Sequence, residues 1–400
     1  MRHLWCFVTF FAAGCSDATA ADAWDREPIG YRDAASDDPV ARSIRDGSIS
    51  NAADASRSGR LREVLDLWGV PVESQTLVFS KTSLQTHRVT PRHPRALYFN
   101  DDVYVGYVPG GDIEIAATDP QLGAVFYTID MDKPGTAPIR DHGGSCLLCH
   151  ANRRTQGVPG YLLRSVSTGD DGRPLYRLGS HDTTIASPPG ERYGGYYLTG
   201  LPRSFPHAGR DDLSGVDLDA YPSPHSDLVP LLVLTHQAQM HNALARANHD
   251  VRRALHTNAE MNRLLDRSPD HLGGGIDRRI DHAVDRVVRH IVFRDEVSLP
   301  TPIPEPGPYV DRFKAMGPCD GEGRSLREFD LNTRTFQYRC SYLIYSDAFA
   351  GLPDVVRDRT LDVLRVGFRG GDDERFDHLA VAERTAIDGI LTATLPGYAD

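Results

Sequence analysis

The apolar residues of this chain pass from strand-like spacing after Gln75 to helical spacing from Leu228, and that pairing restricts it to folds that join a sheet to helices. From Gln75 the runs "TLVFS", "ALYFN", "VYVGYV", "IEIAA" and "AVFYTID" are short, β-branched and aromatic, with Pro, Gly and Asp between them. Such runs read as strands, and "PGGD" at 109–112 reads as a tight turn. From Leu228 the spacing becomes helical through "LVPLLVLTHQAQMHNALARANHDVRRALHTNAEMNRLL". It resumes after "HLGGG" with "IDRRIDHAVDRVVRHIVF". There Ile276, Ile280, Val284, Val287 and Ile291 share one side of the helix and His282 falls opposite. Ahead of the strands, "RLREVLDLWGV" reads as a short amphipathic helix with Leu61, Val64, Leu65 and Leu67 on its apolar side. Behind the Pro-rich "LPTPIPEPGP", two more helical patterns lie around "DVVRDRTLDVLRVGF" and "VAERTAIDGILTAT", and Gly370-Gly371 stops the first. The expected class is α+β.

At 400 residues the chain has ample material for a core without disulfides. Its formal charge of −11 argues against nucleic acid as a partner, because phosphate binding needs a basic face. Arg2 and His3 precede the apolar run "LWCFVTFFAA", which has the form of a signal peptide. Ala18-Thr19-Ala20 offers a cleavage site that would make residues 1–20 the leader. Alternatively, Ala12-Ala13-Gly14-Cys15 resembles a lipobox, with Ala where Leu is usual, and a lipidated Cys15 would then attach the protein to a membrane. Either reading predicts an extracytoplasmic, periplasmic location. Outside the cytoplasm the remaining pair, Cys319 and Cys340, is expected to oxidise if disulfide geometry allows.

Between the two halves stands "GGSCLLCHANRRTQGVPGYLLRSV", in which Cys146, Cys149 and His150 form a Cys-x-x-Cys-His run. This is the attachment pattern of haem c: two thiols form thioethers with the haem vinyls, and the adjacent imidazole binds iron from one face. A structural zinc site would want two more ligands at finger spacing, and no second Cys pair supplies them. A thioredoxin-like dithiol would leave His150 without a role.

A sixth iron ligand is commonly Met or His. "THQAQMHN" concentrates the candidates on the long predicted helix over 229–266. With His236 at zero, Leu244, Ala247, Val251 and Leu255 fall between about 20° and 100°. Met240 lies inside that stripe at about 40°, His236 at its edge, and His241 beyond it near 140°. Met240 and His236 are therefore the expected metal ligands beside His150, with His142, His181 or a five-coordinate iron as alternatives. For the haem propionates the expected partner is Arg164 in the apolar "YLLRSV", ahead of Arg153 and Arg154, since a buried guanidinium needs a counter-charge.

Several blocks resemble a family of exported bacterial cytochrome c domain-containing proteins that carry one Cys-x-x-Cys-His site and are otherwise uncharacterised. They are "VFSKTSLQ", "PRALYFNDDVYVGYVPGG", "CLLCHANRRTQGVPGYLLRSV", "ERYGGYYLTG", "HQAQMHNALARAN" and "CSYLIYSDAF", and they span most of residues 75–350. The resemblance implies haem binding, electron transfer and an extracytoplasmic site, and it names no substrate. The chain departs from the family pattern at Thr184-Ile185-Ala186-Ser187-Pro188, where an Asp-His pair often precedes Thr-Ser-Pro. It departs again at Tyr193-Gly194-Gly195-Tyr196, which stands where the family has Trp-Gly-Gly-Trp.

The expected layout is a signal at 1–20, a polar lead and short helix at 21–74, and a β-rich module at 75–135. A mainly helical, cytochrome c-like haem-binding region follows at 136–300, then a helical C-terminal region at 301–400. The expected function is an exported c-type cytochrome with one covalent haem, passing single electrons to a redox partner protein that the sequence does not identify. A haem-dependent, peroxidase-like oxidoreductase with an open distal iron is the alternative, as is a haem-based sensor or a subunit of a larger redox complex.

Overall fold

The strand-like runs pair in the order in which they occur. In the computed structural model, which describes residues 20–49, 57–133, 135–269 and 271–399, one antiparallel sheet forms with every strand beside the next. It comprises β1 (Thr76–Val78), β2 (Arg95–Phe99), β3 (Val103–Tyr107), β4 (Ile113–Asp119), β5 (Gly123–Ile129) and β6 (Ile139–Arg140). Residues 1–19 of the expected signal, with Cys15, lie outside the described residues. The turn between β3 and β4 places Gly110 at φ 79°, a left-handed conformation open to a residue without Cβ. β6 has only two residues, too few to show alternation in the sequence.

The register fixes what each face of the sheet presents. Leu97, Gly106, Glu114 and Thr128 stand opposite one another across β2 to β5, and so do Phe99, Tyr104, Ala116 and Phe126. Successive residues alternate faces, so these two rows lie on the same side together with Arg95. On the other side Tyr127 reaches α1 (Pro39–Arg45), where its hydroxyl donates to the N-cap carboxylate of Asp38 at 2.6 Å. α2 (Arg57–Leu67) buries Leu61, Val64 and Leu65 as its pattern implies, whereas Leu67 is exposed.

α3 (Ser145–His150) follows β6 directly, and a two-stranded ribbon of β7 (Arg164–Val166) and β8 (Ser180–Asp182) comes next. α4 (Leu228–Leu264) then packs along α5 (Gly274–Ile291), which in turn meets α8 (Asp354–Phe368). α6 (Tyr309–Lys314) and α7 (Asp347–Ala350) are short, and α9 (Val381–Thr394) closes the chain against α8. α4 also touches the sheet: His241 Nδ1 lies 2.9 Å from the Tyr104 hydroxyl, and Gln237 Nε2 donates to that same oxygen at 2.8 Å.

One hydrophobic cluster runs from Trp24 and Tyr98 on the sheet side to Ile390 and Leu391 of α9. Among the described residues no helix is long and apolar enough to cross a membrane. The expected Cys319–Cys340 bond is not formed: both are free thiols, Cys340 buried and Cys319 exposed. Compartment predicts whether two thiols would oxidise, but only the fold decides whether they meet.

Candidate functional site

The site is assembled around α3, whose sequence is Ser-Cys-Leu-Leu-Cys-His. Its start is held by Asp141, whose carboxylate accepts from the backbone N–H of Gly143 at 3.1 Å, of Cys146 at 3.0 Å, and of Gly144. Gly143 sits at φ 112°, and a Cβ there would lie 2.4 Å from Arg32 Nε, so this bend needs glycine. Within the motif Leu147 is buried and anchors the helix, while Leu148 faces outward. Cys149 is exposed and Cys146 is half-buried. Burial pushes the Cys146 thiol up to about 12, and its hydrogen bond to Asp141 adds to the shift.

The one hydrogen bond that orients the His150 ring among the described residues comes from backbone. Its Nδ1 lies 2.9 Å from the Gly160 carbonyl, which can only accept, so Nδ1 carries the proton. Nε2 is then the lone-pair nitrogen, and it has no hydrogen-bond partner among the described residues. Burial holds the ring's pKa below the ordinary imidazole range, against the opposing Gly160 bond, so the ring is neutral. The Gly160 N–H returns a bond to the His150 carbonyl at 2.8 Å. Asn242 of α4 locks the next residue, accepting from Tyr161 N and donating to Tyr161 O, each at 2.8 Å. A Cβ on Gly160 would lie 2.2 Å from Asn242 Oδ1, so this close approach also requires glycine.

α3 opens onto a cavity of about 220 Å³ whose lining includes both motif cysteines and His150. The two sheet rows described above form its floor, and Thr82–Leu84, Leu162, Leu163 and Leu234 form its sides. Phe126 packs on the His150 ring, with centroids 4.9 Å apart. The floor carries one ion pair. Arg95 Nη2 lies 2.6 Å from Glu114 Oε2, while Glu114 Oε1 accepts from Gln85 Nε2 at 3.1 Å. The guanidinium rests on Gly106, where a Cβ would stand only 2.5 Å from Nη2. Arg95 Nε is buried and has no hydrogen-bond partner among the described residues.

Several residues singled out in the sequence sit elsewhere. Met240 is fully buried but does not line the cavity. His236 is also absent from the lining: its Nε2 lies 2.7 Å from Ser341 Oγ and its ring stacks on Phe293 at 4.0 Å. The helical stripe indicated correctly that both face inward. That interior is the hydrophobic core, not the space in front of His150. His241 contacts the cavity-lining Tyr104 and Tyr161 without lining the cavity itself. Arg164 donates from Nε to Ser180 Oγ at 2.7 Å and lies over the Tyr176 ring, away from the cavity. Arg154 pairs with Asp182, and Arg153 is exposed in the turn after α3. His142 bonds the Arg32 carbonyl, and His181 is exposed.

Arg95, Glu114, Gly106 and Asn242 are the site residues that sequence reasoning missed. The one local signal was Gly106, a glycine inside a strand pattern, which often marks a close approach. Among the described residues no three His, Cys, Asp or Glu side chains gather as a metal site. No family model, curated protein or solved structure matches the chain.

Proposed function

We propose that this chain is an exported bacterial cytochrome c domain-containing protein that holds one covalent haem c and uses it in single-electron transfer. The observation that carries this reading is the orientation of His150 at the cavity. A neutral imidazole with Nδ1 committed to a carbonyl presents Nε2, the atom that must bind iron, and the Gly160 bond raises its basicity. A haem needs only that one axial donor and two thiols beside it, so a three-ligand cluster is not required.

The surroundings fit a flat, largely apolar group. Gly106 and Ala116 keep the middle of the floor low, Leu97 and Phe126 make the rest of it apolar, and Leu163 gives it an apolar side. Both thiols line the cavity, and Cys146, held protonated, carries the hydrogen that thioether formation adds across a vinyl group. When bound, the haem iron supplies the one-electron couple. The chain's own work is to orient His150 through Gly160 and Asn242, to tether the macrocycle through Cys146 and Cys149, and to exclude water with the sheet floor. In this reading the cytochrome c-like region contributes α3 and the segment after it, while the β-rich module contributes the floor.

The test is production of the full chain with its leader in cells that carry a c-type haem maturation system. After acid-acetone extraction the haem is expected to stay with the protein, and fractionation should recover it outside the cytoplasm. Cys146→Ser with Cys149→Ser should lose the haem entirely, whereas each single variant should keep it through the remaining thioether. Complete extraction from the unaltered chain would sink the proposal.

A further inference from the structure

We infer that the iron's sixth position is left to a small exogenous anion, received by the Arg95 guanidinium on the cavity floor. This rests on the haem reading above and names a ligand class for the same site.

The first support is the inventory of the lining. Among the described residues that line the cavity, His150 is the one histidine, and there is no Met and no Lys. The lining tyrosines have other partners. Tyr98 donates to Gln75, Tyr127 to Asp38, and Tyr161 pairs with Thr118. Tyr104 is held by Gln237 and His241. No lining side chain apart from the motif is thus left as a strong neutral donor to iron.

The second support is the state of Arg95. A guanidinium has five N–H donors, and Arg95 Nη2 is ion-paired with Glu114 Oε2 at 2.6 Å. Its Nε is buried and unpartnered among the described residues, an arrangement that costs free energy unless an acceptor arrives. Glu114 is itself tied to Gln85, so the pair holds the guanidinium in place over Gly106. An anion beside Arg95 gains a charge-assisted hydrogen bond, and Glu114 limits how much net positive charge it meets.

Fluoride is the probe, being a small anion that binds ferric haem and accepts hydrogen bonds. The holoprotein is expected to be high-spin when ferric, to bind carbon monoxide at once when ferrous, and to take up fluoride in a spectroscopic titration. Arg95→Leu should weaken fluoride binding by roughly ten-fold or more, the usual effect of losing a hydrogen bond to a charged group. Glu114→Gln should tighten it by about a few-fold, because the guanidinium then keeps its full charge. Opposite shifts in the two variants are not expected of a merely structural ion pair, and Glu114→Gln reads the guanidinium without removing it. Equal fluoride affinity in Arg95→Leu and the unaltered protein overturns the role of Arg95. A covalently bound haem that is low-spin and indifferent to carbon monoxide and fluoride overturns the open position. A change to high-spin in His87→Ala would then assign the ligand to that exposed residue on the segment bordering the cavity. Absence of covalent haem in the unaltered protein fails the earlier proposal instead.

Discussion

His150 and His241 are both buried imidazoles, and the difference between them lies in what each nitrogen meets. His150 commits Nδ1 to a carbonyl and turns Nε2 toward a cavity. His241 has Nδ1 against the Tyr104 hydroxyl and Nε2 buried with no partner among the described residues, so burial alone takes its pKa down to about 3. Between about pH 6.5 and 3 the unfolded chain therefore binds a proton at His241 that the folded chain refuses. Stability contributed by the neutral ring is present above pH 6.5 and falls as the pH drops, by up to about 1.4 kcal/mol per pH unit. His241→Gln should flatten the urea midpoint against pH in this window relative to the unaltered protein, and superimposable slopes would refute the assignment. Asp102 has the opposite sign. Burial first, then Asp101 and Asp347, raises its carboxyl to about 7, so the folded chain holds a proton that the unfolded one releases near pH 4. Its contribution is present below pH 4 and lost as the pH rises to 7. Asp102→Asn should make the protein comparatively more stable at pH 8 than at pH 4, read from the same urea midpoints.

At the scale of elements, the sheet and α4 act on the site through small contacts. Gly106 sits mid-strand in β3, where the missing side chain costs some strand stability and makes room for the Arg95 guanidinium. Gly106→Ala moves only the flexible end of Arg95, so stability should stay within about 1 kcal/mol. Fluoride affinity should nevertheless fall, because the guanidinium is displaced; unchanged affinity would show that its position over Gly106 does not matter. α4 contributes Asn242, whose side chain takes both backbone groups of Tyr161. Asn242→Ala leaves those groups unpaired in the interior and should cost roughly 2–4 kcal/mol by chemical denaturation. A loss within 0.5 kcal/mol, about the scatter of surface substitutions, would show that the latch is not needed.

For the whole molecule, the shared core is the main fact. Trp24 belongs to the same hydrophobic cluster as Ile280, Val287 and Leu391. Ile280 and Val287 are fully buried on α5, which packs on both α4 and α8. Ile280→Ala should cost about 2–5 kcal/mol, the range for deleting a buried Ile side chain, although it lies on a helix that does not line the cavity. Tryptophan fluorescence and helical circular dichroism should lose signal at one midpoint, because sheet and helices share that cluster. Two separated transitions would show that the sheet and the helical part unfold independently.

The strands, the long helices and the Cys-x-x-Cys-His helix were legible because each is encoded by spacing along the chain: period two, period 3.6, or a fixed tripeptide interval. The inward face of α4 was legible for the same reason, which is why Met240 and His236 were expected inside and are inside. What no spacing carries is which element an inward face meets. Arg95 and Glu114 stand on strands that are not neighbours, and only the strand register brings them together across Gly106. Arg164, Cys319 and Cys340 lacked any such long-range constraint in the sequence. The sequence by itself determined the elements and the helical run that carries Cys146, Cys149 and His150. Only the tertiary structure decided what His150 faces, because that depends on pairings between residues far apart in the chain.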